Sequence, residues 1–123
     1  MLKSMLLVGL GGALGSILRY AINLLTKQFI VSNFPIATFA INIIGCLLIG
    51  IFYGISEKHN LGNSDFNSIL IIGFCGGFTT FSTFANENFN LLQQQNITIP
   101  LLYILASLIL GILAVKLGYK IIL

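Results

Sequence analysis

Four apolar runs, about Met5 to Leu25, Pro35 to Ile55, Ile69 to Asn86 and Ile97 to Tyr119, take up almost all of a 123-residue chain. About 20 predominantly apolar residues cross the hydrocarbon of a bilayer as a helix, so four crossings leave only connections and termini. Backbone inside hydrocarbon must satisfy its own hydrogen bonds, which makes helix the spanning form for such runs. The expectation is an all-α integral membrane protein, one four-span domain over residues 1–123 with no soluble part. A mean hydropathy of +1.01 and a charged fraction of 7% agree, against roughly a quarter charged in soluble domains. The apolar N-terminus superficially resembles a signal peptide, but it runs on past Arg19 without a convincing cleavage site and is read as a retained span.

Six Lys or Arg, three Asp or Glu and one His are too few to build much chemistry. His59 lies in the polar stretch Glu57-Lys58-His59-Asn60, and no carboxylate pair falls inside an apolar run. Neither a side-chain metal site nor acid–base catalysis is indicated, and the chain is not read as an enzyme. A net charge of +3 is too thin and scattered for a nucleic-acid face. Cys46 and Cys75 match no metal or redox spacing and read as small packing residues. With four spans, Lys3, Lys58, Lys116 and Lys120 share one side, opposite Lys27 and Arg19. The positive-inside rule therefore favours cytoplasmic termini only weakly.

Gly11/Gly15, Gly50/Gly54 and Gly73/Gly77 are each four residues apart, a spacing that lets helices approach closely in lipid. The third run is unlike the others. Gly73-Phe74-Cys75-Gly76-Gly77-Phe78-Thr79-Thr80-Phe81-Ser82-Thr83-Phe84 puts three glycines and four hydroxyl residues in mid-span. Adjacent glycines weaken helix by about 1 kcal/mol each relative to alanine, so a break is expected at Gly76-Gly77. Freed carbonyls at that depth need protein or a polar cavity and are hard ligands suited to a cation such as sodium. If helix resumes beyond the break, Thr79, Ser82, Thr83 and Asn86 form one stripe and Phe81 with Phe84 another. Such stripes suit a permeation path, or the hydroxyls bond back to the helix while the rings pack in a core. Asn42 in the second run and Tyr103 with Ser107 in the fourth are further intramembrane polar groups, which face a partner helix or a cavity. Arg19 either snorkels to the interface or provides a charge at a vestibule or interface.

Three blocks carry a resemblance. Gly11-Gly12-Ala13-Leu14-Gly15-Ser16-Ile17-Leu18-Arg19-Tyr20, Thr38-Phe39-Ala40-Ile41-Asn42-Ile43-Ile44-Gly45 and the Gly73–Phe84 segment resemble, in order and spacing, the signatures of the Fluc/CrcB fluoride channels. The resemblance implies an antiparallel, dual-topology homodimer in the bacterial inner or plasma membrane, with two fluoride pores and one central structural sodium ion. It places the pore role on Asn42, Phe81 and Phe84 with Ser82 and Thr83 beside them, and the sodium role on the backbone carbonyls of Gly76 and Thr79. Tyr103 and Ser107 correspond to the start of a polar track in the fourth span. Its continuation falls on Gly111 and Val115, which carry no hydroxyl. Ala37 and Ser16 are small-for-small departures. The partner is a second copy of the chain or a related subunit, with lipid around both.

A fluoride pathway is also sensible chemically. A small, strongly hydrated anion must exchange water for donors, yet fixed cations would hold it too tightly to release. Asn42 and the hydroxyls are neutral donors, and phenylalanine rings present a positive edge. The main rival is a small multidrug-type four-span dimeric transporter, which needs a titratable carboxylate in the membrane. None lies in the first two runs, and Glu87 is expected at the end of the third. A scaffold that uses glycines only for assembly leaves the Thr79–Phe84 cluster unexplained.

Overall fold

A computed structural model describes residues 1–123. It is all-helical: α1 Leu2–Phe29, α2 Ile36–Lys58, a π-helix Asn67–Cys75, α3 Gly76–Phe78, α4 Phe81–Gln93 and α5 Thr98–Ile122. Four helical stretches, the third being Asn67–Gln93, are long and apolar enough to cross a membrane. Each begins or ends beyond its apolar run. Apolar content marks the part that suits hydrocarbon, while backbone hydrogen bonding continues into polar flanks; α1, with 28 residues, is about 42 Å long at 1.5 Å per residue. The prolines stand where a missing N–H costs nothing: Pro35 caps α2 and Pro100 lies in the first turn of α5. Past the ends of α2 and α4, Asn60 (φ 53°) and Gln95 (φ 60°) turn left-handed, a common way to close a helix.

Glycines set the two tightest helix pairs. A Cβ on Gly11 would lie 2.0 Å from the Ile69 carbonyl oxygen and one on Gly15 2.2 Å from that of Phe74, so α1 rests backbone to backbone on the third span. On the other pair, a Cβ on Gly50 would meet the Val115 carbonyl at 2.2 Å and one on Gly118 the Leu47 carbonyl at 2.3 Å. In lipid, where apolar side chains gain nothing by leaving their surroundings, this close packing is what holds helices together. The register rises in the same sense on both members of each pair, so α1 runs parallel to the third span and α2 to α5. The protein interior is correspondingly small, centred on Ile41, Ile71, Cys75, Phe78, Leu91 and Tyr103.

The third span is broken, as its sequence predicts, but three residues further on. Gly76 is α-helical (φ −63°, ψ −38°), whereas Thr79 (φ −77°, ψ 158°) and Thr80 (φ −148°, ψ 121°) are extended. Gly77 has another use: a Cβ there would sit 2.4 Å from the Gly12 carbonyl oxygen of α1. Two consecutive β-branched residues, stiff at χ1 and content in extended backbone, take the break instead. The π-helix before it has no counterpart in the sequence reading. Wide turns of this kind are rare and concentrate near functional sites.

Candidate functional site

The break is held open by Asn42. Its Oδ1 accepts from the Thr80 N–H at 2.8 Å and its Nδ2 donates to the Thr80 carbonyl at 3.0 Å, so one side chain from α2 satisfies both backbone groups of an extended residue. Thr80 then caps α4, its Oγ1 accepting from the Thr83 N–H at 3.3 Å and donating to Thr83 Oγ1 at 3.1 Å. Ser82 Oγ lies 3.4 Å from the same hydroxyl. Thr79 is not part of this face. It turns back to donate to the Cys75 carbonyl at 2.9 Å, with its methyl over Gly45. The stripe expected from helical spacing is therefore split, because Thr79 precedes the restart of the helix. Ser82 and Asn86 face outward, and Thr83 is half-buried.

Two carbonyls lose their helical donors. The N–H four residues after Gly76 is that of Thr80, taken by Asn42, and the one four residues after Thr79 is that of Thr83, taken by the Thr80 hydroxyl. Space beside Gly76 is open, with nothing within 4 Å of a Cβ built there. Both are neutral hard oxygens, the donor type that suits a group 1 cation.

Phe81 is 78% exposed, and its ring centroid is 5.9 Å from that of the half-buried Phe84. Phe84 meets Tyr103 edge to face at 4.9 Å and 74°. Tyr103, fully buried, is also edge-on to Phe34 at 5.1 Å. A groove of about 510 Å³ collects Asn42, Gly76, Thr79, Phe81, Phe84 and Ser107. Of the other residues singled out in the sequence, Thr83 lines a second cavity of about 320 Å³ that also holds Thr38, Glu87 and Lys27. Tyr103 lines neither cavity; its ring lies against Phe84, whose ring reaches the groove. Arg19 lines neither cavity and makes no ion pair, since the only one joins Lys3 to Asp65.

Thr38 and Glu87 were not singled out as site residues. Thr38 Oγ1 donates to Glu87 Oε1 at 2.5 Å. Because α4 continues to Gln93, Glu87 lies inside the helix rather than at its end. The signal available was its position four residues after Thr83, on one helical face. The buried Tyr103 hydroxyl, Ser107 hydroxyl and Glu87 Oε2 have no hydrogen-bond partner, although buried polar groups are nearly always paired. The seam between the cavities thus holds the unpaired Ser107 hydroxyl, the Tyr103 hydroxyl beside the Glu87 carboxylate, and the edges of aromatic rings. It offers hydrogen bonds from neutral groups, and its one cation, Lys27, stands on the wall of the second cavity with Glu87.

A sequence profile described as "CrcB-like protein, Camphor Resistance (CrcB)" matches residues 6–119. A protein of Azobacteroides pseudotrichonymphae named "Fluoride-specific ion channel FluC" is 48% identical over 119 residues, 97% of this chain and 95% of that one. Proteins of the same name from Flavobacterium psychrophilum and Phocaeicola vulgatus are each 48% identical over 117 residues, covering 95% of this chain and 94% and 96% of theirs. The profile spans all four membrane helices, the Asn42–Thr80 clamp and the aromatic seam, and on that basis the chain is a multi-pass membrane protein that belongs to the CrcB family.

Proposed function

We propose that the chain is a passive, fluoride-selective channel that lets fluoride leave the cytoplasm down its electrochemical gradient. The observation that carries the reading is the 48% identity, over nearly the full length, to proteins named fluoride-specific channels, together with a groove of neutral donors and ring edges. Ser107 offers a hydroxyl in the groove, and the path would continue by Tyr103 and Ser82 to Thr83 on the wall of the second cavity. Asn42 has one N–H committed to Thr80 and a second left for an anion. Phe81 and Phe84 narrow the way and turn positive edges toward it. Donors without charge replace hydration water yet release the ion.

The assembly belongs to the same reading: an antiparallel homodimer of dual topology, with pairing to a related subunit as the variant form. Support comes from the third span, whose Ser82 and Asn86 face outward beside a 78% exposed Phe81 and the open side of Gly76. Intramembrane polar residues and free carbonyls need a partner, and a second copy supplies one. The Gly76 and Thr79 carbonyls of both copies would hold a sodium ion, which supplies a fixed positive charge at the centre and satisfies four acceptors. Arg19 is assigned to the mouth or the interface. Glu87 alone does not favour a proton-coupled exporter, because Thr38 already engages it and the relatives bear a channel name.

The test is fluoride efflux from liposomes holding the purified protein, with a potassium ionophore present. Rapid fluoride release with no release of cationic drug substrates supports the reading. Proton-driven drug movement without fluoride release refutes it.

A further inference from the structure

The groove does not by itself reach the end of the molecule where α2 and α5 finish. On α5 the face that begins with Tyr103 and Ser107 continues, at four-residue intervals, to Gly111 and Val115, neither with a donor. Val115 lies eight positions past Ser107, about 12 Å of helix. Ile49 and Leu108 on the groove wall, and Ile112 beyond it, add none. An anion stripped of water would cross this stretch unaided. Its far end, at Ile112 and Val115, opens into a cavity of about 970 Å³ whose polar lining includes Ser56, Glu57, Asn60 and Lys116.

Tyr53 on α2 is the only residue that lines both this cavity and the groove. Gly50 rests against Val115 and Gly54 against Tyr119, so the Tyr53 backbone stands just past Val115, and its side chain, leaning toward the N-terminus of α2 as helical side chains do, reaches back toward the hydroxyl-free part of α5. Its side chain is 51% exposed rather than packed away. A tyrosine is also an amphipathic body, with an apolar ring and a polar tip. We infer that the Tyr53 hydroxyl is the relay donor of the ion path between Ser107 and the Glu57/Lys116 end, contributed by α2 where α5 offers none. This rests on the fluoride reading and adds a positioned contact to it.

The competing role for a tyrosine near a helix end is anchoring at the membrane interface, which depends on the ring and not on a hydroxyl facing a path. Three proteins separate the two: wild type, Tyr53→Phe, and Tyr53→Phe combined with Val115→Thr, which puts a hydroxyl of nearly valine shape on the wall of the same cavity. Each is purified, checked for unchanged elution on size exclusion and assayed for fluoride efflux from liposomes. The inference predicts that Tyr53→Phe slows efflux about tenfold, equivalent to about 1.4 kcal/mol, and that the double variant recovers to within about threefold of wild type. Wild-type efflux from Tyr53→Phe overturns it, as does a loss that Val115→Thr leaves untouched. If wild type itself releases no fluoride, the fluoride reading fails and the relay falls with it.

Discussion

The amide of Asn42 closes on both backbone groups of Thr80, at 2.8 and 3.0 Å, across 38 residues of sequence. One side chain thereby makes a helix break tolerable inside a membrane and sets the angle at which α4 restarts. Asn42→Ala should orphan a buried N–H and a buried carbonyl, at about 1–3 kcal/mol for each. Lower thermal stability in detergent together with lost fluoride flux is the expected result. Asn42→Asp keeps the acceptor for the Thr80 N–H but cannot donate to the Thr80 carbonyl unless protonated, and it also puts negative charge beside the path. It should lose flux more completely than stability, and normal conduction in Asn42→Asp would remove Asn42 from the pathway.

Phe81 and Phe84 differ in surroundings although their rings are 5.9 Å apart. Replacement by Ile keeps an apolar side chain, which costs a core under about 1.5 kcal/mol when volume is roughly kept, but removes the ring edge. Phe81→Ile and Phe84→Ile should each leave elution on size exclusion unchanged and cut fluoride efflux at least tenfold. Phe84→Ile should also loosen Tyr103, its edge-to-face neighbour. Full efflux from both variants would reject aromatic coordination.

Glycines 76 and 77 are neighbours with opposite surroundings. A Cβ on Gly77 meets the Gly12 backbone at 2.4 Å, while one on Gly76 meets nothing within the chain. Gly77→Ala should impair folding outright, since backbone cannot swing aside as a side chain can. Gly76→Ala should fold as a monomer and fail to dimerise, because the open space is where the second copy and the sodium ion are proposed. Cross-linking and light scattering read that difference; an intact Gly76→Ala dimer would show that this face is free.

Lys3, Lys58, Lys116 and Lys120 oppose only Lys27 and Arg19, a weak bias that suits insertion in both directions. A C-terminal reporter active on one side of the membrane should therefore mark only part of the population. Marking of all or none would refute dual topology.

The four spans were legible because apolar run length alone decides them, and the glycine pairs because spacing on a helix fixes which face they share. The site of the break was not. Gly76-Gly77 is the weaker helix by propensity, yet tertiary contact with Gly12 claims Gly77, and Asn42, distant in sequence, claims Thr80. Local propensity cannot contain either partner. For the same reason Thr79 leaves the stripe that helical spacing predicts for it, and the Thr38–Glu87 bond exists only where two helices meet. The aromatic and amide residues of the groove were readable as a cluster, since a polar mid-span segment is costly in lipid wherever it faces.

Selectivity is the central claim, and a reversal potential reads it most directly. With purified protein in a planar bilayer, fluoride on one side and an equal concentration of chloride on the other, sodium present on both, the account predicts a measurable current. Its reversal potential should be displaced toward the fluoride equilibrium value by about 59 mV for each tenfold of selectivity. A reversal potential near zero, or one that follows the cation when sodium is varied, would contradict it.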